Sequence, residues 1–290
     1  IQISGPTGWK NLRNHHNLID GNYPWTINVG VNTHGVIDNN TFKGSAFGIK
    51  TYGNGASDWS STLTLGNADF FFVEDNNFDW DDWYGATGTP CVDMFSGGRV
   101  VFRNNTIRNG YFGTHDKARS TLVSANAYEI YNNNISGSDK WKALDITAGT
   151  GVIWGNKITG NYSIPIGAMD YKSFDPRGIP LCNGSDPADK NTLGEAGWLC
   201  QYQIGSMGSG STAYQYPLYL WNNTYNGNIT NMECTDGCLV NGRPHLLAGR
   251  DFINNGTMPK SGYTPYAYPH PLTQTGSTII LAAPVVQIVQ

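Results

Sequence analysis

The chain has 290 residues, a net charge of −4 and only 14% charged residues, which argues against a phosphate-neutralising surface and against nucleic acid as a partner. No run of about 18 apolar residues occurs, which excludes a membrane-spanning helix. Thirty-six glycines, together with abundant Asn, Thr and Tyr, make a turn-rich, β-prone composition that one elongated domain can hold.

Residues 1–32 read as an opening coil. Ile1-Gln2-Ile3-Ser4 is strand-like, no polar or helical cap precedes it, and a start at Ile1 without Met reads as a processed or excised chain. A weak repeat lies at Ile19-Asp20-Gly21-Asn22.

Residues 33–160 carry one six-residue pattern in regular form. It appears as Ile37-Asp38-Asn39-Asn40-Thr41-Phe42, as Val73 to Phe78, as Phe102-Arg103-Asn104-Asn105-Thr106-Ile107, as Ile130 to Ile135 and as Ile153 to Ile158, and it returns as Leu220-Trp221-Asn222-Asn223-Thr224-Tyr225. The second Asn sets the register. Its positions 40, 76, 105, 133, 156 and 223 are spaced by 36, 29, 28, 23 and 67 residues, which fits single coils with loop insertions and one long interruption. That interruption is expected at about 161–216, with Pro165, Pro176, Pro180, Pro187, Cys182 and Cys200. A faint repeat, Phe252-Ile253-Asn254-Asn255, follows, and residues 273–290 form an apolar, β-prone extension that must dock rather than stay exposed. The organisation expected is therefore a repeat domain over 1–272 and a strand-like extension over 273–290.

The pattern has a physical reading. Each register Asn can take the left-handed conformation at a corner while its amide hydrogen-bonds to the amide of the next coil. The residues three before it (Ile37, Val73, Phe102, Ile130, Ile153, Leu220) and two after it (Phe42, Phe78, Ile107, Ile135, Ile158, Tyr225) then point inward as apolar columns. The fold class expected is all-β, a parallel β-helix solenoid with an Asn ladder. These repeats, the segment Thr33-His34-Gly35-Val36-Ile37-Asp38 and the run Gly262-Tyr263-Thr264-Pro265-Tyr266-Ala267-Tyr268-Pro269-His270-Pro271-Leu272 resemble the bacterial right-handed parallel β-helix repeat proteins of the pectate-lyase-like superfamily. The resemblance covers roughly residues 10–272 and implies a right-handed β-helix that is secreted and extracellular. Lyases, hydrolases, epimerases, adhesins and tailspikes all use that fold, so it does not select an activity. Neither the Asn-Thr-Asp, Asp-Asp, His-Gly and Arg-Ile-Lys set of polygalacturonases nor the Arg-rich signature of typical pectate lyases is present.

Candidate chemistry lies on outward stripes. Two residues before the register Asn the stripe reads Asp38, Glu74, Arg103, Tyr131, Trp154 and Trp221. Tyr131, Trp154 and Trp221 form a candidate sugar-stacking platform, unless the 161–216 insertion covers them. Four before the Asn, the mostly apolar stripe Val36, Phe72, Val101, Glu129, Val152 and Tyr219 calls for a covering loop or a neighbouring subunit. On the preceding strands, eleven residues before the Asn, Leu65, Met94 and Leu122 point in, so Asp93 points out, with Cys91 and Arg119 on the same face. The same count turns Asp145 inward, where a charge is costly, so a one-residue bulge is expected to turn it out. Asp93, Arg119 and Asp145, with His115 and Lys117 in the adjoining loop, are the candidate catalytic residues. In a uronate lyase a metal or cation neutralises the sugar carboxylate and Lys, Arg or His removes the α proton; ordinary surface ion pairs look the same.

A second candidate is the loop Asp79-Trp80-Asp81-Asp82-Trp83-Tyr84, which could hold Ca²⁺ through carboxylates and stack sugar on Trp80 or Trp83, or rest as a solvated loop with Trp tucked onto the coil below. Pairing Cys182 with Cys200 and Cys234 with Cys238 would leave Cys91 over and suits an oxidising compartment; buried thiols are the alternative. The function expected is a secreted carbohydrate-active or carbohydrate-binding protein, a lyase or hydrolase with a polysaccharide partner. The alternative is a structural solenoid that self-associates into a fibre or surface appendage.

Overall fold

The computed structural model describes residues 1–3, 8–21, 26–44, 47–115, 123–169, 199–200, 202–209, 212–240 and 243–274. Within them each repeat is a strand, a left-handed residue, a buried Asn and a second strand. The strand pairs are Gly35–Asp38 with Thr41–Gly44, Phe71–Glu74 with Asn77–Trp80, Arg99–Arg103 with Thr106–Arg108, Ala127–Tyr131 with Asn134–Ile146, Thr150–Trp154 with Lys157–Met169, and Leu218–Trp221 with Thr224–Tyr225. The left-handed residue is the one before the register Asn: Asn39, Asp75, Asn104, Asn132, Gly155 or Asn222, with φ between 52° and 65°. This corrects the expectation that the register Asn itself is left-handed. The preceding residue turns the corner, which leaves the register Asn free to aim both its amide and its own N–H at the next tier.

The amide column is continuous. Asn17, Asn40, Asn76, Asn105, Asn133 and Asn156 each donate from Nδ2 to Oδ1 of the next member, ending at Asn223, over 2.9–3.2 Å. Each also sends its backbone N–H to that same Oδ1 over 2.9–3.2 Å. The first member is Asn17, after left-handed His16, so the weak repeat at 19–22 is out of register by five residues. The repeat at 252–255 pairs with the strand Leu218–Trp221, but Asn254 lies opposite Leu220 and outside the column.

The chain is all-β with parallel sheets. An eight-stranded sheet runs Leu12–His15, Gly35–Asp38, Phe71–Glu74, Arg99–Arg103, Ala127–Tyr131, Thr150–Trp154, Leu218–Trp221 and Phe252–Asn254. A fourteen-stranded sheet has two arms that meet at the long strand Asn134–Ile146, one arm passing through Thr106–Arg108 and Asn77–Trp80, the other through Gly110–Thr114, Thr89–Phe95 and Ile49–Tyr52. The expected register holds residue by residue. Ile37 lies beside Val73, then Phe102, Ile130, Ile153 and Leu220, while Phe42 lies beside Phe78, then Ile107, Ile135, Ile158 and Tyr225. All are buried except Tyr225, which is partly buried against the same core. Burial of each such Ile or Phe stabilises by about 1.5–3 kcal/mol, so the inward columns carry the fold.

The interruption starts later than expected. The strand Lys157–Met169 continues through Pro165, with Ile164 and Ile166 paired to Lys142 and Leu144. A proline read as a breaker is tolerated where its nitrogen is not needed by the ladder. Residues 170–198, including Cys182, lie outside the described residues, as does the 275–290 part of the extension. Cys234 and Cys238 form a disulfide, and Cys91 is a free thiol in the core. No described helix is long and apolar enough to cross a membrane.

Candidate functional site

The stripe expected to offer sugar an aromatic platform is covered by the chain itself. Tyr131, Trp154 and Trp221 do stack, at 4.6 Å and 5.7 Å between ring centroids, but Tyr263 closes on Trp221 edge-on at 5.9 Å and Tyr131 and Trp221 are buried. Residues 263–272 lie along this face. Arg103, wholly buried, reaches Glu74 at 2.6 Å, the Tyr131 hydroxyl at 2.8 Å and the backbone carbonyls of Tyr266 and Ala267 at 2.8 Å. The Glu74 carboxylate also accepts the His270 N–H at 2.8 Å. Glu129 accepts both the Tyr263 hydroxyl and the Gly66 N–H at 2.6 Å. Gly66 has φ +77° and comes so close that a Cβ there would lie 1.9 Å from the Thr264 carbonyl oxygen. Burial raises the Glu74 and Glu129 carboxyls, against the pull of Arg103 and of the Tyr263 hydroxyl respectively.

The apolar stripe four before the Asn is covered in the same way. Val36, Phe72 and Val101 pack beneath Leu63, Phe70, Met207, Tyr266 and Leu272. Tyr131 and Trp221 are therefore packed within the fold, and Trp154 between them is partly buried against the same cluster. Trp80 is likewise core, fully buried with Nε1 3.4 Å from Cys91 Sγ. The Trp83 side chain lies outside the described residues. Of the acidic loop, Asp79 pairs with Arg108, and among the described residues no three His, Cys, Asp or Glu side chains converge as a metal site.

The other candidate face is assembled. In the strand Thr89–Phe95 the register slips between Pro90 and Val92, and Cys91 and Val92 both enter the core. Cys91 thus points inward, correcting its expected place on the outer face; burial pushes its thiol well up. Asp93, between buried Val92 and Met94, points outward. Ala143 and Leu144 both enter the core as well, the irregularity that turns Asp145 outward and sets Lys142 on the same face. One lateral row then reads Lys50, Asp93, Gly113, Asp145, Gly167, Glu233. Neighbouring strands lie about 4.8 Å apart, so Asp93 and Asp145 stand about 9.6 Å apart at their backbones.

Asp93 Oδ1 lies 2.5 Å from His115 Nδ1. A carboxylate at that distance orients the ring through Nδ1 and leaves Nε2 facing away from it. The ring is further fixed by stacking on Phe95 at 4.0 Å, and Phe95 stacks on Tyr52 at 5.5 Å. His115 is the accessible member, its side chain 18% exposed against 5% for Asp93. Lys142 Nζ donates to Asp145 Oδ1 at 2.8 Å and extends over Gly167. The Tyr111 ring lies over Gly113, between the two aspartates, and Lys50 Nζ sits 4.3 Å above the Phe95 ring. Lys117 and Arg119 lie outside the described residues.

Lys50, Tyr111 and Lys142 escape a reading of the sequence. The alternation in Ile49-Lys50-Thr51-Tyr52 points Lys50 outward, but only the register of neighbouring strands sets it beside Asp93; Lys142 joins Asp145 only through the bulge. The face sets two lysines among the carboxylates of Asp93, Asp145 and Glu233 and offers one oriented imidazole. No protein-family model, curated protein or solved structure matches the chain.

Proposed function

We propose that this chain is a secreted right-handed parallel β-helix that binds an acidic polysaccharide on the Asp93, His115 and Asp145 face and cleaves it by β-elimination. The contact between Asp93 and His115 carries the reading, because a carboxylate-oriented imidazole is a general base with a defined free nitrogen. In the reaction His115 Nε2 takes the proton α to the uronate carboxylate. The electron pair forms the new double bond as the glycosidic C–O bond breaks, and the leaving oxygen takes a proton from water. Lys50 offers positive charge to the uronate carboxylate, Lys142 being buried against Asp145, and the Tyr111 ring offers a face for a sugar's C–H groups. A Ca²⁺ ion would supply the same neutralisation, but the described donors form no cage for it, and no step here requires one.

The test is release of unsaturated uronate absorbance from pectate, alginate and related polyuronides, with and without Ca²⁺. The parent should give product from at least one polymer, with Asp93→Asn and His115→Ala each lowering the rate at least a hundredfold, within the usual range for general base catalysis. No product from any polymer would overturn the reading.

Assembly is the second reading, and one observation favours it. Among the described residues the strands Gln2–Ile3, Leu12–His15 and Leu18–Gly21 end their sheets, and Ile1, Trp9 and Leu18 beside them are exposed, so sheet edges and apolar side chains coincide. Sedimentation of the purified chain over a wide concentration range tests it; a monomer throughout removes it.

A further inference from the structure

A cleft of about 250 Å³ lies where the chain passes between the two sheets, lined by Thr51, Tyr52, Asp58, Thr62, Asp69 and Arg99 among others. We infer that it takes a single neutral sugar residue, a ligand class that rests on the carbohydrate reading above. The cleft falls below the roughly 300–1,000 Å³ of pockets for drug-sized ligands, so it fits one ring and not an oligomer.

Gly53 leaves the Asp58 carboxylate room at the cleft: a Cβ there would stand 2.4 Å from Asp58 Oδ2. Thr51 is buried, lines the cleft and has no hydrogen-bond partner for Oγ1 among the described residues. A buried hydroxyl is seldom left unpaired. Asp58 Oδ2 accepts the Asn54 N–H at 2.5 Å, and burial raises its carboxyl, against the pull of that bond and of Arg99.

Arg99 frames the site and does not serve as its anion receptor. Its Nε donates to Asn126 Oδ1 at 2.8 Å, and one terminal nitrogen donates to the Asp58 carbonyl and the Ser61 hydroxyl, both at 2.7 Å. Two carboxylates, Asp58 and Asp69, line the cleft against Arg99, whose donors are engaged within the chain, which disfavours a uronate or phosphate. An ammonium would use only the acceptors. A sugar hydroxyl both donates and accepts, so one ring can give a proton to Asp58 and accept one from Thr51 while a face lies on Tyr52. Tyr52 stacks on Phe95, which stacks on His115, so a row of rings links the cleft lining to the proposed catalytic face. An acidic polymer lying across that face would place a neutral residue, such as a side branch or a chain end, in the cleft.

Saturation-transfer NMR on the full chain tests this with the methyl glycosides of galactose, glucose, mannose and rhamnose as probes and galacturonic acid as the anionic comparison. At least one neutral glycoside should receive saturation, with affinity reduced at least tenfold in both Thr51→Val and Asp58→Asn and unchanged in Asp93→Asn. Thr51→Val should melt no lower than the parent, because its hydroxyl has no partner to lose; a lower melting temperature would make Thr51 structural and overturn the site. Transfer to none of the neutral glycosides, or transfer that survives both cleft variants, would also overturn it. Glycoside binding at the cleft without polyuronide cleavage would sink the proposed catalysis and leave this site standing.

Discussion

The outer faces of the two sheets carry the same kinds of residue and come to opposite ends. On the eight-stranded sheet, Glu74, Arg103, Glu129, Tyr131 and Trp221 are buried beside residues 263–272, and Arg103 is saturated by a carboxylate, a hydroxyl and two backbone carbonyls. On the arm of the fourteen-stranded sheet, Asp93 holds His115, whose ring keeps access to solvent. A charge becomes part of the structure when every hydrogen-bonding position is filled from within the chain, and becomes available for chemistry when one position is left open. The difference lies in what covers each stripe and not in the stripe's own composition.

Removing Arg103 should break the covered face most severely. Arg103→Ala leaves the buried Glu74 without its cation, a change that typically costs about 3–5 kcal/mol. Urea unfolding should show that loss, and hydrogen exchange should show residues 263–272 losing protection first; an unchanged midpoint would mean the segment is held by its apolar contacts alone.

The same face should respond to pH. Burial, and next the charge of Arg103, hold His270 down at about 4 against an ordinary 6.5. A depressed value means that the unfolded chain binds the proton more readily, so this stability is present above pH 6.5 and lost as pH falls through 6.5 toward 4. The ceiling is about 3 kcal/mol. The raised Glu74 and Glu129 act in the opposite sense, their contribution being lost as pH rises. Comparing His270→Gln with the parent isolates the histidine: the variant's stability should change less steeply between pH 6.5 and 4, and parallel profiles would remove the assignment.

The Asn column stands between the faces and serves both. Asn105→Ala removes the Oδ1 that accepts two donors from Asn76 and the Nδ2 that donates to Asn133, so a loss of about 1–3 kcal/mol is expected. Asn133→Ala should match it. Equal denaturation midpoints for parent and both variants would show that the column follows from the packing and adds nothing to it.

The open face should be the least sensitive in stability. Asp93→Asn keeps the shape and a hydrogen-bond acceptor for His115, so the midpoint should move by about 1 kcal/mol or less while any polyuronide cleavage disappears. A large loss of stability would place Asp93 with Arg103 as a structural residue.

Legibility in the sequence followed the range of the interactions. The columns Ile37 to Leu220 and Phe42 to Tyr225, and the outward turn of Asp93, follow from strand alternation and a fixed register Asn; the outward turn of Asp145 follows only from the cost of burying its charge, since alternation alone turns it inward. Alternation misplaces Cys91 because the bulge at Pro90–Val92 falls just before Asp93, and alternation cannot locate a bulge. The ladder's first member, Asn17, was missed because Asn14-His15-His16-Asn17 lacks the apolar residue three before the Asn.

By itself the sequence determined the all-β class, the spacing of the tiers, the inward columns and the Asn register, since each depends on residues within one strand–corner–strand unit. Only the tertiary structure decided which outer stripe is covered. Arg103 and the carbonyls of Tyr266 and Ala267 lie 163 and 164 residues apart, and Asp93 meets His115 across a strand boundary 22 residues on. Periodicity fixes which way a side chain points; whether it meets protein or solvent there depends on segments far along the chain that share none of its period.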